Sequence, residues 1–146
     1  MIAQTIQLAL APVFVLVAMG NIMNILSSRM GRVVDRARWL QKRYGETEGI
    51  EHDLIVAEIR GVDRRIHLIS RALGLLVTSG LTIGLTVALL FLEEIAGIDL
   101  QRVAAGTFLV AIGLMMWALI QLLRETRVAA ALLRIPREFL EPERRL

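Results

Sequence analysis

Apolar residues dominate three stretches of the chain, at roughly 2–26, 72–92 and 103–123, and charged residues fill the spaces between them. Each stretch matches the roughly 20 residues a helix needs to cross about 30 Å of hydrocarbon. Beyond the first stretch the apolar positions do not stop but thin out. Met30, Val33, Val34, Ala37, Leu40 and Tyr44 recur at helical spacing, so the first helix is expected to run on to about Tyr44. The segment "GETEG" at 45–49 reads as a turn. After it Ile55, Ile59, Val62, Ile66, Ile69 and Leu73 mark a second helix with heptad spacing, continuous with the second apolar stretch. Pro12 is expected to bend the first helix, because it has no N–H to offer the Leu8 carbonyl. Pro136 is expected to end the last one.

The expected architecture is all-α: a polytopic membrane protein with three transmembrane helices and an antiparallel helical hairpin between the first two. Its layout is a membrane helix over 1–28, a cytosolic hairpin over 29–71, a membrane helix over 72–92, a short external loop over 93–102, a membrane helix over 103–123 and a cytosolic helical tail over 124–146. The first stretch has no basic residues before it and is too long for a cleaved signal, so it is expected to stay as a span.

Composition agrees. Of 146 residues 55% are hydrophobic, and the mean hydropathy of +0.60 is too high for a soluble domain of this size. The net charge is +3. Segment 27–71 holds ten Lys/Arg and seven Asp/Glu, and the tail 124–146 holds six and four. Loop 93–102 has one Arg against Glu93, Glu94 and Asp99. The positive-inside bias therefore places the hairpin and the tail in the cytoplasm, with the loop and the N-terminus outside. This sorting explains the basic balance without nucleic acid. The expected location is the cell's inner, cytoplasmic membrane, crossed several times. There is no cysteine, which removes thiol chemistry and disulfides.

The stretches "LALAPVFVL" and "SSRMGRVVDRARWL", and later "VDRRIHLISRALG" leading into a span, resemble a bacterial membrane family known as domain of unknown function 2721. The resemblance covers about residues 6 to 125, and its most specific piece is "RVVDRAR", Arg32 to Arg38. It implies three spans and carries over no activity and no catalytic residue.

The first span has one unusual face. Rows of seven-residue spacing place Gln4, Ala11, Ala18, Ile25 and Arg32 side by side with Gln7, Phe14, Asn21, Ser28 and Asp35. Only Phe14 and Ile25 among them are bulky and apolar. A seven-residue repeat keeps facing one partner when helices supercoil left-handed, so this stripe is expected to point away from lipid. Two readings follow. In one the small and amide side chains are helix-packing contacts. In the other, copies of the first span surround a water-filled axis lined by Gln4, Gln7, Ala11, Phe14, Ala18, Asn21, Ile25 and Ser28, with Phe14 and Ile25 as constrictions. Three spans cannot enclose such a path alone, so a homo-oligomeric bundle is expected.

Other positions have humbler readings. Glu93, Glu94 and Asp99 would form an acidic external mouth that gathers cations. Arg29, Arg32, Arg36 and Arg38, with Asp35, would meet lipid headgroups or pair between subunits. Asp35 and Asp63 are expected to pair with arginine across the hairpin or between subunits. Gly80 and Gly84 form a GxxxG pair for close helix contact. His52 lies among Glu48, Glu51 and Asp53, a solvated helix start rather than a metal site. His67 reads as a surface residue. No nucleophile–base set, phosphate loop or metalloprotease motif occurs, so neither an enzyme nor a cofactor is expected. The sequence leaves a homo-oligomeric channel for small cations, with itself and membrane lipids as partners. Its rival is a non-conducting scaffold or accessory subunit that recruits a partner or anionic lipid through the basic hairpin.

Overall fold

A computed structural model describes residues 2–132, and these form three helices joined by short loops. Helix α1 spans Ile2–Tyr44, α2 spans Gly49–Ala96 and α3 spans Gln101–Leu132. At 1.5 Å per residue, α1 and α2 are about 65 and 72 Å long. That is more than twice the thickness of a hydrocarbon core, so each combines a span with an extension beyond it. Helix α1 continues through Pro12 as one element. The expectations for Pro136 and for the tail after residue 132 lie outside the described residues.

The two turns follow from local chemistry. After α1 the Glu46 N–H donates to the Arg43 carbonyl at 2.9 Å, and the Thr47 hydroxyl donates to the same carbonyl at 3.2 Å. At the other end α2 stops at Gly97, which adopts the left-handed conformation (φ 67°) and donates its N–H to the Glu93 carbonyl at 3.0 Å. Glycine takes that conformation without a Cβ penalty. The Asp99 carboxylate then accepts the Gln101 N–H at 3.3 Å and begins α3.

The three helices pack through rows of seven-residue spacing. On α1 the buried row is Met19, Leu26, Val33 and Leu40. On α2 one row is Ile55, Val62, Ile69, Leu76 and Ile83, and a second is Ala72, Ser79 and Thr86. On α3 the row is Ala104, Ala111, Ala118 and Glu125. This repeat is the mark of left-handed supercoiling. Helix α2 packs along both neighbours, while α1 and α3 meet at few points. Alanines on α3 let it approach α2 closely. Two hydroxyl hydrogen bonds cross that contact: Ser79 donates to the Ala111 carbonyl at 2.7 Å, and Thr86 and Thr107 share a bond of 2.9 Å.

Away from the rows, large apolar side chains face outward along all three helices. Val17, Leu81, Leu109 and Trp117 are each 60% exposed or more. A surface of this kind is an aggregation liability in water and an ordinary one in lipid. All three helices contain stretches long and apolar enough to cross a membrane. The chain is a multi-pass membrane protein on that basis. The hairpin formed by the end of α1 and the start of α2 is closed differently. There Val33, Leu40, Ile55 and Val62 are buried, each contributing about 1.5–3 kcal/mol if water surrounds the hairpin.

Candidate functional site

The face of α1 that the sequence marks out is turned outward. Gln4, Gln7, Ala11, Phe14, Ala18, Asn21, Ile25 and Ser28 are all exposed on the protomer. Phe14 is 69% exposed and Ile25 55%. Asn24 and Ser27, beside the stripe, are exposed as well. Among the described residues the side chains of Asn21, Asn24 and Ser28 make no hydrogen bond. Within one chain α1 packs through Met19, Leu26 and Val33, and Asn21, Asn24 and Ser28 bond to neither α2 nor α3. What the protomer presents is a polar stripe on an apolar surface. Amides cannot be left bare in hydrocarbon without cost.

At the hairpin end of the apolar zone lies a cluster the sequence reading missed. Glu125 is completely buried on α3. One of its oxygens accepts from Arg65 of α2, through Nε at 3.0 Å and Nη2 at 2.9 Å. The other accepts from Arg29 of α1, and the same Arg29 Nη1 donates to the Thr126 hydroxyl at 3.0 Å. One carboxylate thus ties all three helices together where α1 and α3 otherwise hardly meet. The signal was available. Ala104, Ala111 and Ala118 form the inward row of α3, and the next position in that row is Glu125. One turn before it, Gln121 is also buried, and its Oε1 accepts no hydrogen bond.

Arg29, Arg36 and Arg43 stand seven apart on α1, and each meets an acid. Arg36 donates to Glu58 at 2.7 Å and Arg43 to Glu51 at 3.1 Å. Arg36 also stacks over Trp39 at 4.3 Å. The hydrogen bond it donates to Glu58 holds the Arg36 guanidinium above its ordinary range, against a smaller opposing effect of burial. Among the described residues Arg32, Asp35 and Arg38 form no ion pair and are exposed. Within one chain, among the described residues, neither Asp35 nor Asp63 pairs with arginine across the hairpin. The cross-hairpin pair is Arg36–Glu58, and Asp63 stands 3.9 Å from His67 on its own helix.

The glycine pair divides. A Cβ on Gly80 would meet Met19 Sδ at 3.4 Å, so α1 passes close to it, whereas nothing lies within 4 Å of a Cβ on Gly84. The acidic loop also divides. Glu94 accepts from the Thr5 hydroxyl at 3.0 Å, Asp99 caps α3, and Glu93 has one oxygen withdrawn from solvent with no hydrogen bond. Among the described residues no three His, Asp or Glu side chains gather as metal ligands. His52 instead packs at a tilt against Tyr44, with ring centroids 4.5 Å apart and planes at 50°.

Neither a curated protein nor a solved structure matches the chain. A family model does match, over residues 9–135, which takes in the second and third membrane-length stretches, most of the first and the Arg29–Glu125–Arg65 cluster. The chain belongs to the family described as "Protein of unknown function (DUF2721)".

Proposed function

We propose that the protein assembles as a homo-oligomer in the membrane and conducts small cations along an axis lined by α1. One observation carries the reading: the stripe from Gln4 to Ser28, polar or small except at Phe14 and Ile25, is membrane-length and exposed on the protomer. A second copy, or water held between copies, satisfies its amides; lipid does not. Phe14 and Ile25 are then the narrow, dewetting points. The charge bias puts the hairpin in the cytoplasm, and Glu93 and Glu94 at the opposite end favour cations over anions. No catalytic role belongs to this reading.

The chain lacks cysteine, so introduced ones report cleanly. Asn21→Cys and Ser28→Cys are expected to cross-link copies to one another in the membrane, while Leu109→Cys, exposed on α3 rather than on α1, is not. Purified protein in liposomes is expected to pass potassium or sodium down a gradient. Phe14→Ala raises that flux and Asn21→Leu lowers it. Cross-linking without flux, under every gradient, voltage and pH tried, would replace the channel by the non-conducting scaffold. Equal cross-linking at all three positions would remove the oligomer as well.

A further inference from the structure

Where α1 meets the α2–α3 loop, the bundle opens into a crevice of two contrasting halves. The first, about 160 Å³, is lined by Gln4, Thr5, Glu93, Glu94 and Gln101. The second, about 200 Å³, is lined by apolar groups that include Pro12, Ala104, Ala105 and Phe108. Leu8, Leu90 and Gln101 line both, so the two halves adjoin. Together they reach the lower end of the roughly 300–1,000 Å³ typical of small-molecule sites.

Among the described residues the carboxylates of the polar half lack a full set of donors. Among these residues the half-buried Glu93 has its Oε2 shielded from solvent with no hydrogen bond, and the exposed Glu94 accepts one from the Thr5 hydroxyl. A carboxylate oxygen taken out of water without a donor is a standing cost, and a positive group beside it removes that cost. The apolar half excludes a hydrated metal ion as the whole answer, since it offers no oxygen ligands beyond Thr86 and Gln101 and would stay empty. We infer that the crevice binds an amphipathic organic cation. The charged head sits against Glu93 and Glu94, and an aromatic or alkyl body fills the chamber beside Pro12, Leu90 and Phe108. The crevice shares Gln4 and Ala11 with the stripe, but it lies within one protomer and needs no axis, so its binding is measured without conduction.

The probe is tetraphenylphosphonium, compared with tetraphenylborate, an anion of nearly the same shape. Each is titrated by calorimetry against the full chain in nanodiscs of uncharged lipid, with empty discs subtracted. Saturable binding of about one tetraphenylphosphonium per chain is expected, at least tenfold tighter than tetraphenylborate. Glu93→Gln is expected to weaken it tenfold or more. Ala105→Trp, which fills the chamber without altering charge, is expected to abolish it; Ala105 is exposed, so the bundle tolerates the change. Melting curves confirm that both variants stay folded. Binding no greater than to empty discs would mean that an acyl chain occupies the chamber, and would overturn the proposal. So would equal affinity for the two ions, or an unchanged Glu93→Gln. Because no flux is measured, this result and that of the conduction assay are read separately.

Discussion

Replacing Glu125 by Gln tests whether one buried carboxylate holds three helices in register. The substitution preserves shape and removes one charge. Its cost follows from what remains. Breaking a buried ion pair by deleting one partner costs about 3–5 kcal/mol, because the other charge is left uncompensated. Here two guanidiniums are left, but Arg29 and Arg65 side chains are 27% and 24% exposed, so both can turn partly toward water. Gln also keeps one oxygen that accepts from a single arginine. The low end of the range, about 3 kcal/mol, is therefore expected. For a chain of this length 1 kcal/mol moves the melting midpoint by about 3 °C, so Glu125→Gln should melt about 10 °C lower. Trp39 and Trp117 give the fluorescence signal in detergent, one on the hairpin and one on α3. A companion variant separates loss of a pair from loss of packing. Arg29→Met, Arg65→Met and Glu125→Leu together remove every charge, and apolar replacement of a buried ion cluster is commonly neutral or stabilising. The triple variant should melt within a few degrees of wild type. If Glu125→Gln melts with wild type, the cluster does not hold the helices and the reasoning fails. If the triple variant is as unstable as the single one, packing rather than uncompensated charge is the cause.

Three smaller effects can be read on the same melting assay. Gly80→Ile should cost about 1–3 kcal/mol by forcing α1 from α2, since a Cβ there already meets Met19 Sδ at 3.4 Å, while Gly84→Ile should be silent because the space around it is open. A double-mutant cycle on Arg36 and Glu58, whose side chains are 47% and 39% exposed, should give only about 0.2–1 kcal/mol and shrink with added salt; a coupling above 2 kcal/mol would contradict that ranking. Ser79→Ala removes the buried 2.7 Å bond to the Ala111 carbonyl and should cost about 0.6 kcal/mol, no more than about 1.7, with a larger loss pointing to displacement of α3.

Length and periodicity were enough for the three helices, because apolar runs of membrane length and heptad rows such as Ile55, Val62 and Ile69 depend on the chain alone. Which face meets which neighbour depends on both surfaces. On α1 two rows repeat every seven residues, and periodicity does not say which is turned inward. Thr5, Met19, Leu26 and Val33 pack against the chain's own helices, while Gln7, Asn21 and Ser28 do not. Small angular offsets decide the rest. Four residues overshoot a full helical turn by about 40°, which is enough to put Gly80 against α1 and Gly84 outside. One residue is about 100°, which separates exposed Asp35 from Arg36, bonded to Glu58. Glu125 was hidden by its setting, since "RETR" at 124–127 reads as a solvated helix end. Its row says otherwise: three alanines at seven-residue intervals define the tightest side of α3, and a charge placed next in that series has to be buried and needs cations from facing helices. Arg29 and Arg65 supply them. The same argument explains why the polar stripe is the opposite case. Its amides also continue a heptad row, but no partner for them exists within the described chain, and a second copy presenting the same stripe is the simplest surface that offers one.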